Sequence, residues 1–162
     1  MTDDSTVTPI ANGQRAPSFT LTSDENKPVS LADYVGRRVL IFFYPKAGTP
    51  GCTTQACGFR DQFPSVQEVN ATILGISPDS VADLAGWRAK ENLPYTLLSD
   101  VDHKVAEAYS AWGERSMYGR TYMGIIRSHF VIDANGIIED AQIGISPKDS
   151  IEKGVQVLLR HS

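Results

Sequence analysis

The run Arg38-Val39-Leu40-Ile41-Phe42-Phe43-Tyr44 constrains this chain more than any other segment. It is rich in β-branched and aromatic residues and has no polar alternation, the pattern of a central strand buried on both faces. Pro45 ends it, and Gly48, Pro50 and Gly51 punctuate the turn that follows. Beyond the turn, Thr53 to Phe63 carries Ala56, Phe59 and Phe63 at helical spacing. Cys52 therefore falls near the N-terminus of a helix, one tight loop past a buried strand. Unpaired backbone N–H groups and the positive end of the helix dipole favour an anion there, which for cysteine is the reactive thiolate.

The rest of the chain alternates strand and helix. Phe19 to Leu21 and Val29 to Leu31 read as short strands, Ala71 to Ile76 as a second buried strand, and Tyr95 to Leu98 as another. Ser77-Pro78-Asp79-Ser80 has the chemistry of a helix start for Val81 to Asn92. A helix over Asp102 to Tyr109 is capped by Asp100 or Asp102, residues 111–124 read as a loop, and a last helix spans Ser150 to Leu159. Ala134-Asn135-Gly136 between the apolar runs Ser128 to Ile132 and Gly136 to Ile143 marks a hairpin. The expected class is α/β, a mixed central sheet with helices on both faces.

At 162 residues, 41% of them hydrophobic, the chain suits a single domain over 1–162 with residues 1–15 as a mobile arm. A formal net charge of −4 offers no electrostatic reason to expect nucleic acid or an anionic membrane as partner. The longest apolar run is far short of the ~20 residues that cross a bilayer. Met1 to Thr6 is acidic and polar, unlike a secretory signal, so a cytoplasmic location is expected. A reducing cytosol keeps Cys52 and Cys57 as thiols between turnovers, which argues against a permanent staple. His103, His129 and His161 lack metal-ligand spacing, and no cofactor is expected. Trp87 and Trp112 read as packing residues.

Pro45, Thr49 and Cys52 match the P-x-x-x-T-x-x-C motif of the peroxiredoxins, with Cys57 five residues on. Gly75-Ile76-Ser77-Pro78-Asp79, Leu97-Leu98-Ser99-Asp100, Met117-Tyr118-Gly119 and Arg127-Ser128-His129-Phe130 continue the likeness. The chain resembles the Q-type or bacterioferritin comigratory protein subfamily over roughly residues 12–160. That resemblance implies a thioredoxin-like fold and a monomer. It makes Cys52 the peroxide-attacking cysteine and Cys57 the resolving one, with Thr49 and Arg127 holding and activating the peroxide. The reductant it implies is thioredoxin or a similar dithiol protein. Pro45, read on its own, ends the strand and shields the sulfur. Gln55, where a glutamate is common, and His129, where a threonine is usual, depart from the pattern.

The residue types suit the chemistry. Thiolate attack on one peroxide oxygen develops negative charge on the other, so the site needs positive or N–H groups beyond the sulfur. Arg127 is always charged and offers several fixed donors. The expected function is a thiol-dependent peroxidase acting on hydrogen peroxide and organic hydroperoxides through a Cys52 sulfenic acid and a Cys52–Cys57 disulfide. The alternatives are a general thiol–disulfide oxidoreductase, which lacks the usual C-x-x-C spacing, and a non-enzymatic redox sensor. Residues five apart on one helix lie ~140° and roughly 8–9 Å apart, beyond the ~4.4–6.8 Å between Cα atoms of a disulfide. Closing the bond therefore requires the helix to unwind, and Gly58 reads as a residue that eases this.

Overall fold

The computed structural model describes residues 9–160, so His161 and the first eight residues lie outside it. The first half of the chain forms β1 (Thr20–Ser23), β2 (Pro28–Ser30), a 3₁₀ turn at Leu31–Tyr34, β3 (Arg38–Phe43), α1 (Pro50–Glu68), β4 (Ala71–Ser77) and α2 (Val81–Glu91). The second half adds β5 (Thr96–Ser99), α3 (Lys104–Ala108), β6 (Trp112–Met117), β7 (Arg120–Ile125), β8 (Ser128–Ile132), β9 (Ile138–Ile143) and α4 (Pro147–Arg160).

Seven strands make one mixed sheet in the order β2-β1-β5-β4-β3-β8-β9. β3, β4 and β5 run parallel, while β8 joins β3 antiparallel and β1 joins β5 antiparallel. β3 lies inside the sheet between β4 and β8, and Leu40 to Phe43 are fully buried. Its alternate side chains feed two cores. Leu40 and Phe42 pack with Phe59, Leu84, Trp87 and Leu158 from α1, α2 and α4. Val39, Ile41 and Phe43 pack on the opposite face with Ala106 of α3, Tyr109 and Phe130. The expected mixed sheet with helices on both faces is thus present.

Two local readings need correction. Residues 111–124, expected as a loop, form the antiparallel pair β6–β7 in register Trp112↔Ile125 to Met117↔Arg120. The turn is Tyr118-Gly119 with φ of 52° and 77°, the left-handed pair that a two-residue hairpin needs. Both faces of this arm are largely exposed, so no hydrophobic alternation marks it in the sequence. Helix α1 extends the expected helical stretch through Pro64 to Glu68, with Phe63 and Val66 buried on its core face. Of the expected mobile arm, residues 1–8 lie outside the description. Residues 10–15 are pinned: Gly13 N donates to Ile138 O at 2.8 Å, Asn12 Oδ1 accepts from Ala141 N at 2.8 Å, and Ile10 N donates to Ser110 Oγ at 3.1 Å.

Other boundaries follow their capping chemistry. Ser80 Oγ accepts from Asp83 N at the start of α2, and Asn92 ends that helix at φ 55°. Both expected carboxylates serve α3, Asp100 accepting from Ala106 N at 2.9 Å and Asp102 from Lys104 N at 3.3 Å. The hairpin after β8 turns on the Asp133 carboxylate, which accepts from Asn135 N and Ile137 N, with Gly136 at φ 84°. Arg38 ties β3 to the end of α4, donating to Leu158 O at 2.6 Å and Val157 O at 2.9 Å while pairing with Glu139 at 2.7 Å.

Gly75 in β4 sits between its cross-strand partners Phe42 of β3 and Leu97 of β5. A Cβ there would lie 2.8 Å from Leu97 Cδ2 and 2.9 Å from Phe42 Cζ, both on fully buried side chains. Gly75→Ala should therefore overpack the core and cost about 1–3 kcal/mol. Urea unfolding should show a lower midpoint at unchanged slope; an unshifted midpoint would show that Phe42 has room to move.

Candidate active site

The strand, loop and helix that the sequence announces bring Cys52 into place. β3 ends at Phe43, Tyr44 N still bonds to Ile76 O at 3.2 Å, and the chain turns through Gly48 (φ 85°) to Thr49, the N-cap of α1. Cys52 sits in the first turn and is only 1% exposed. The N-cap makes no side-chain hydrogen bond to this turn, so its backbone N–H groups are not taken by the cap. Thr49 Oγ1 instead donates to Lys46 O at 2.8 Å. That contact consumes the hydroxyl hydrogen and leaves oxygen lone pairs to accept from a bound molecule.

Arg127, on the turn between β7 and β8, reaches the sulfur from the sheet side. Its Nη2 lies 3.4 Å from Cys52 Sγ. A Cβ on Gly51 would approach Nη2 to 3.2 Å, so glycine clears the guanidinium's position. Arg127 Nη1 donates to Gln55 Oε1 at 2.7 Å, one turn along α1 from Cys52. Gln55 Nε2 donates to Ser150 Oγ at 2.9 Å, and Ser150 Oγ is 2.7 Å from His129 Nδ1. Gln55 and His129, the two departures from the motif, are thus joined through one α4 hydroxyl. Ser150 was not singled out in the sequence, where it reads only as the start of a helix.

A cleft of about 480 Å³ opens beside these groups, lined by Pro45, Thr49, Gly51 and Arg127 on one side and Arg115, Met117, Tyr122 and Met123 of the β6–β7 arm on the other. Of the five singled-out residues, Pro45, Thr49 and Arg127 line the cleft, and the buried Cys52 lies behind it in contact with Arg127. Trp112, expected to pack, also lines the cleft and stacks on His103 with ring centroids 3.7 Å apart. Tyr44, fully buried behind Pro45, keeps its phenol proton because burial pushes its pKa far up.

Cys57 is elsewhere. It lies on the same helix, half-buried, and both cysteines are free thiols. Its sulfur donates to Glu91 Oε1 of α2 at 3.5 Å. Burial pushes the thiol up, and the Glu91 carboxylate pushes it further in the same direction, with Arg60 opposing. Between the two cysteines the helix is clamped by Tyr95 Oη, which donates to Ala56 O at 2.6 Å in a buried contact. Gly58 has a packing role beyond its low helix propensity. A Cβ there would collide with Ile151 Cδ1, so the missing side chain admits α4 against α1.

Removing the carboxylate charge should ease ionisation of Cys57. Glu91→Gln, made in a Cys52→Ser background, should move the pH dependence of Cys57 alkylation by iodoacetamide to lower pH. It should remain above the ordinary thiol range, because burial, the larger cause, is unchanged. A profile identical to that of the Cys52→Ser parent would show that Glu91 does not bear on the thiol.

Known proteins resemble this chain in sequence and in shape. Residues 12–141 match the AhpC/TSA family. A putative peroxiredoxin Bcp of Haemophilus influenzae is 51% identical over 82% of this chain and 85% of its own. Peroxiredoxin Bcp of Escherichia coli K12 is 48% identical over the same shares. Among solved structures, a peroxiredoxin Q cysteine variant from Xylella fastidiosa superposes with a TM-score of 0.89 at 28% identity, covering 96% of this chain and 99% of that one. The Xanthomonas campestris bacterioferritin comigratory protein, studied for its alkyl peroxide reduction activity, superposes at 0.83 with 30% identity over 88% and 91%. These likenesses span the strand, loop and helix around Cys52 and the thioredoxin-like sheet that holds them. The chain belongs to the AhpC/TSA family, as a peroxiredoxin of the Bcp or Q type.

Proposed function

We propose that Cys52 is the residue through which this peroxiredoxin reduces hydroperoxides, with Arg127, Thr49 and the first-turn N–H groups of α1 holding the substrate. The contact that carries the reading is Arg127 Nη2 at 3.4 Å from Cys52 Sγ, at the edge of the cleft. The thiolate attacks one peroxide oxygen, the O–O bond breaks, and the departing oxygen leaves as water or an alcohol after taking a proton. Arg127 and the helix N–H groups oppose the charge that develops on that oxygen. Thr49, its hydrogen engaged by Lys46 O, accepts from the peroxide O–H. Pro45 forms one wall and excludes water from the sulfur.

The resulting Cys52 sulfenic acid condenses with Cys57, forming the S–S bond and releasing water. A dithiol protein of the thioredoxin type then reduces the disulfide, in a cytosolic, monomeric cycle. Cys57 faces Glu91 on α2 while Cys52 faces Arg127, so α1 must open between them and release the Tyr95–Ala56 clamp. An oxidant-independent exchange enzyme has no C-x-x-C pair here to support it.

Cys52→Ser should abolish peroxide consumption, whereas Cys57→Ser should still oxidise once and accumulate sulfenic acid, seen by mass spectrometry after one equivalent of peroxide. Reversed behaviour would exchange the two roles. Arg127→Ala should slow stopped-flow oxidation roughly 100- to 1000-fold, and Thr49→Val should slow it too, with disulfide reduction spared in both. Equal losses in both half-reactions would indicate a folding defect. In the oxidised protein, amide protection should fall across Thr53 to Phe63 and hold in β3 and β4. Unchanged protection of that segment would mean that the bond closes without opening α1.

A further inference from the structure

At the far end of the site's polar network, His129 Nε2 and Asp140 Oδ2 face each other at 3.5 Å, long for a hydrogen bond. Neither atom has another hydrogen-bond partner among the described residues. From this pair an unbroken series of contacts leads to the reactive sulfur: His129 Nδ1 to Ser150 Oγ at 2.7 Å, Ser150 Oγ to Gln55 Nε2 at 2.9 Å, Gln55 Oε1 to Arg127 Nη1 at 2.7 Å, and Arg127 Nη2 to Cys52 Sγ at 3.4 Å. Gln55, Ser150 and His129 are each fully buried. Water cannot stand in for a missing partner without entering the core.

The two ends dictate the direction of the chain. A guanidinium only donates, and a carboxylate only accepts. Arg127 must therefore donate to Gln55 Oε1, which turns the amide so that Nε2 donates to Ser150 Oγ. Ser150 keeps one hydrogen to give, and the atom facing it is His129 Nδ1. That nitrogen accepts only if the ring is neutral with its proton on Nε2, where it points at Asp140 Oδ2. A proton on Nδ1 would leave the Ser150 hydrogen without this acceptor. The charged groups bearing on the ring are Asp140 on β9, Arg160 on α4 acting through Asp140, and Arg127 at the head of the chain. Asp140 also accepts from Gln142 Nε2 at 3.0 Å, and its contact with His129, ahead of the opposing burial, holds its carboxyl below the usual range.

We propose that Ser150 and His129 are positioning residues for peroxide reduction: through Gln55 they form a one-way hydrogen-bond chain, anchored by neutral Nε2-protonated His129, that holds the Arg127 guanidinium over Cys52. This rests on the role assigned above to Arg127. An arginine side chain has many rotamers, and the chain confines it to the one that meets the sulfur. The anchor lies on β8 and β9 and the relay on α4, so groups outside the cleft set the geometry within it.

Nitrogen-15 NMR of the His129 ring in the reduced, full-length enzyme should show the neutral Nε2-protonated tautomer. A proton on Nδ1, alone or together with one on Nε2, overturns the chain. Ser150→Ala should slow single-turnover oxidation of Cys52 by hydrogen peroxide about tenfold and spare disulfide reduction by dithiothreitol. In an Arg127→Ala background the same Ser150 substitution should add nothing, because Ser150 acts through Arg127. Further slowing in that background, or a wild-type rate for Ser150→Ala alone, overturns the positioning role. If Arg127→Ala itself keeps the wild-type peroxide step, the reading of Arg127 falls and takes this inference with it.

Discussion

Helix α1 lies closer to its neighbours than ordinary side chains allow, and the site depends on that closeness. Gly51 leaves space for Arg127, Gly58 admits Ile151 of α4, and Gly154 of α4 would place a Cβ 2.6 Å from Leu40 Cδ1 of β3. Contacts of this kind let the first turn of α1, the edge of β8 and the start of α4 converge on one sulfur. An added methyl group at any of these positions would force its neighbours to move, since close packing resists small volume changes.

The two cysteines share one helix yet live in opposed surroundings. Cys52 is buried beside a fixed positive charge, at the helix end whose N–H groups point outward. Cys57 faces a carboxylate that, with burial, keeps it protonated. In the proposed cycle, such a division holds the second thiol in reserve until α1 opens and removes it from Glu91. Tyr95 holds the helix closed from the core side, so the same buried aromatic cluster that stabilises the fold also resists the disulfide. In the proposed cycle, opening has to offset that burial.

The β6–β7 arm shows how exposure hides structure from a reader of sequence. Its strands bury little, so periodicity carries no signal, and the turn depends on Tyr118 and Gly119 both adopting positive φ. The arm nevertheless supplies half of the cleft wall. Residues 10–15 read as part of a mobile arm for a related reason: they are held by backbone and Asn12 contacts to β9, and such pairing leaves no mark in side-chain polarity.

Local chemistry along the chain determined the buried strand β3, the loop broken by Gly48, Pro50 and Gly51, and the placement of Cys52 at a helix start, because each follows from residues adjacent in sequence. Motif likeness added Pro45, Thr49, Cys57 and Arg127. What only the tertiary structure decided is which distant groups meet. Arg127 is 75 residues from Cys52, and Ser150 is 95 from Gln55. No spacing rule links such pairs. Ser150 and His129 became legible only when α4 packed on α1 and β8, since a buried polar side chain reveals its purpose through the partner that satisfies it.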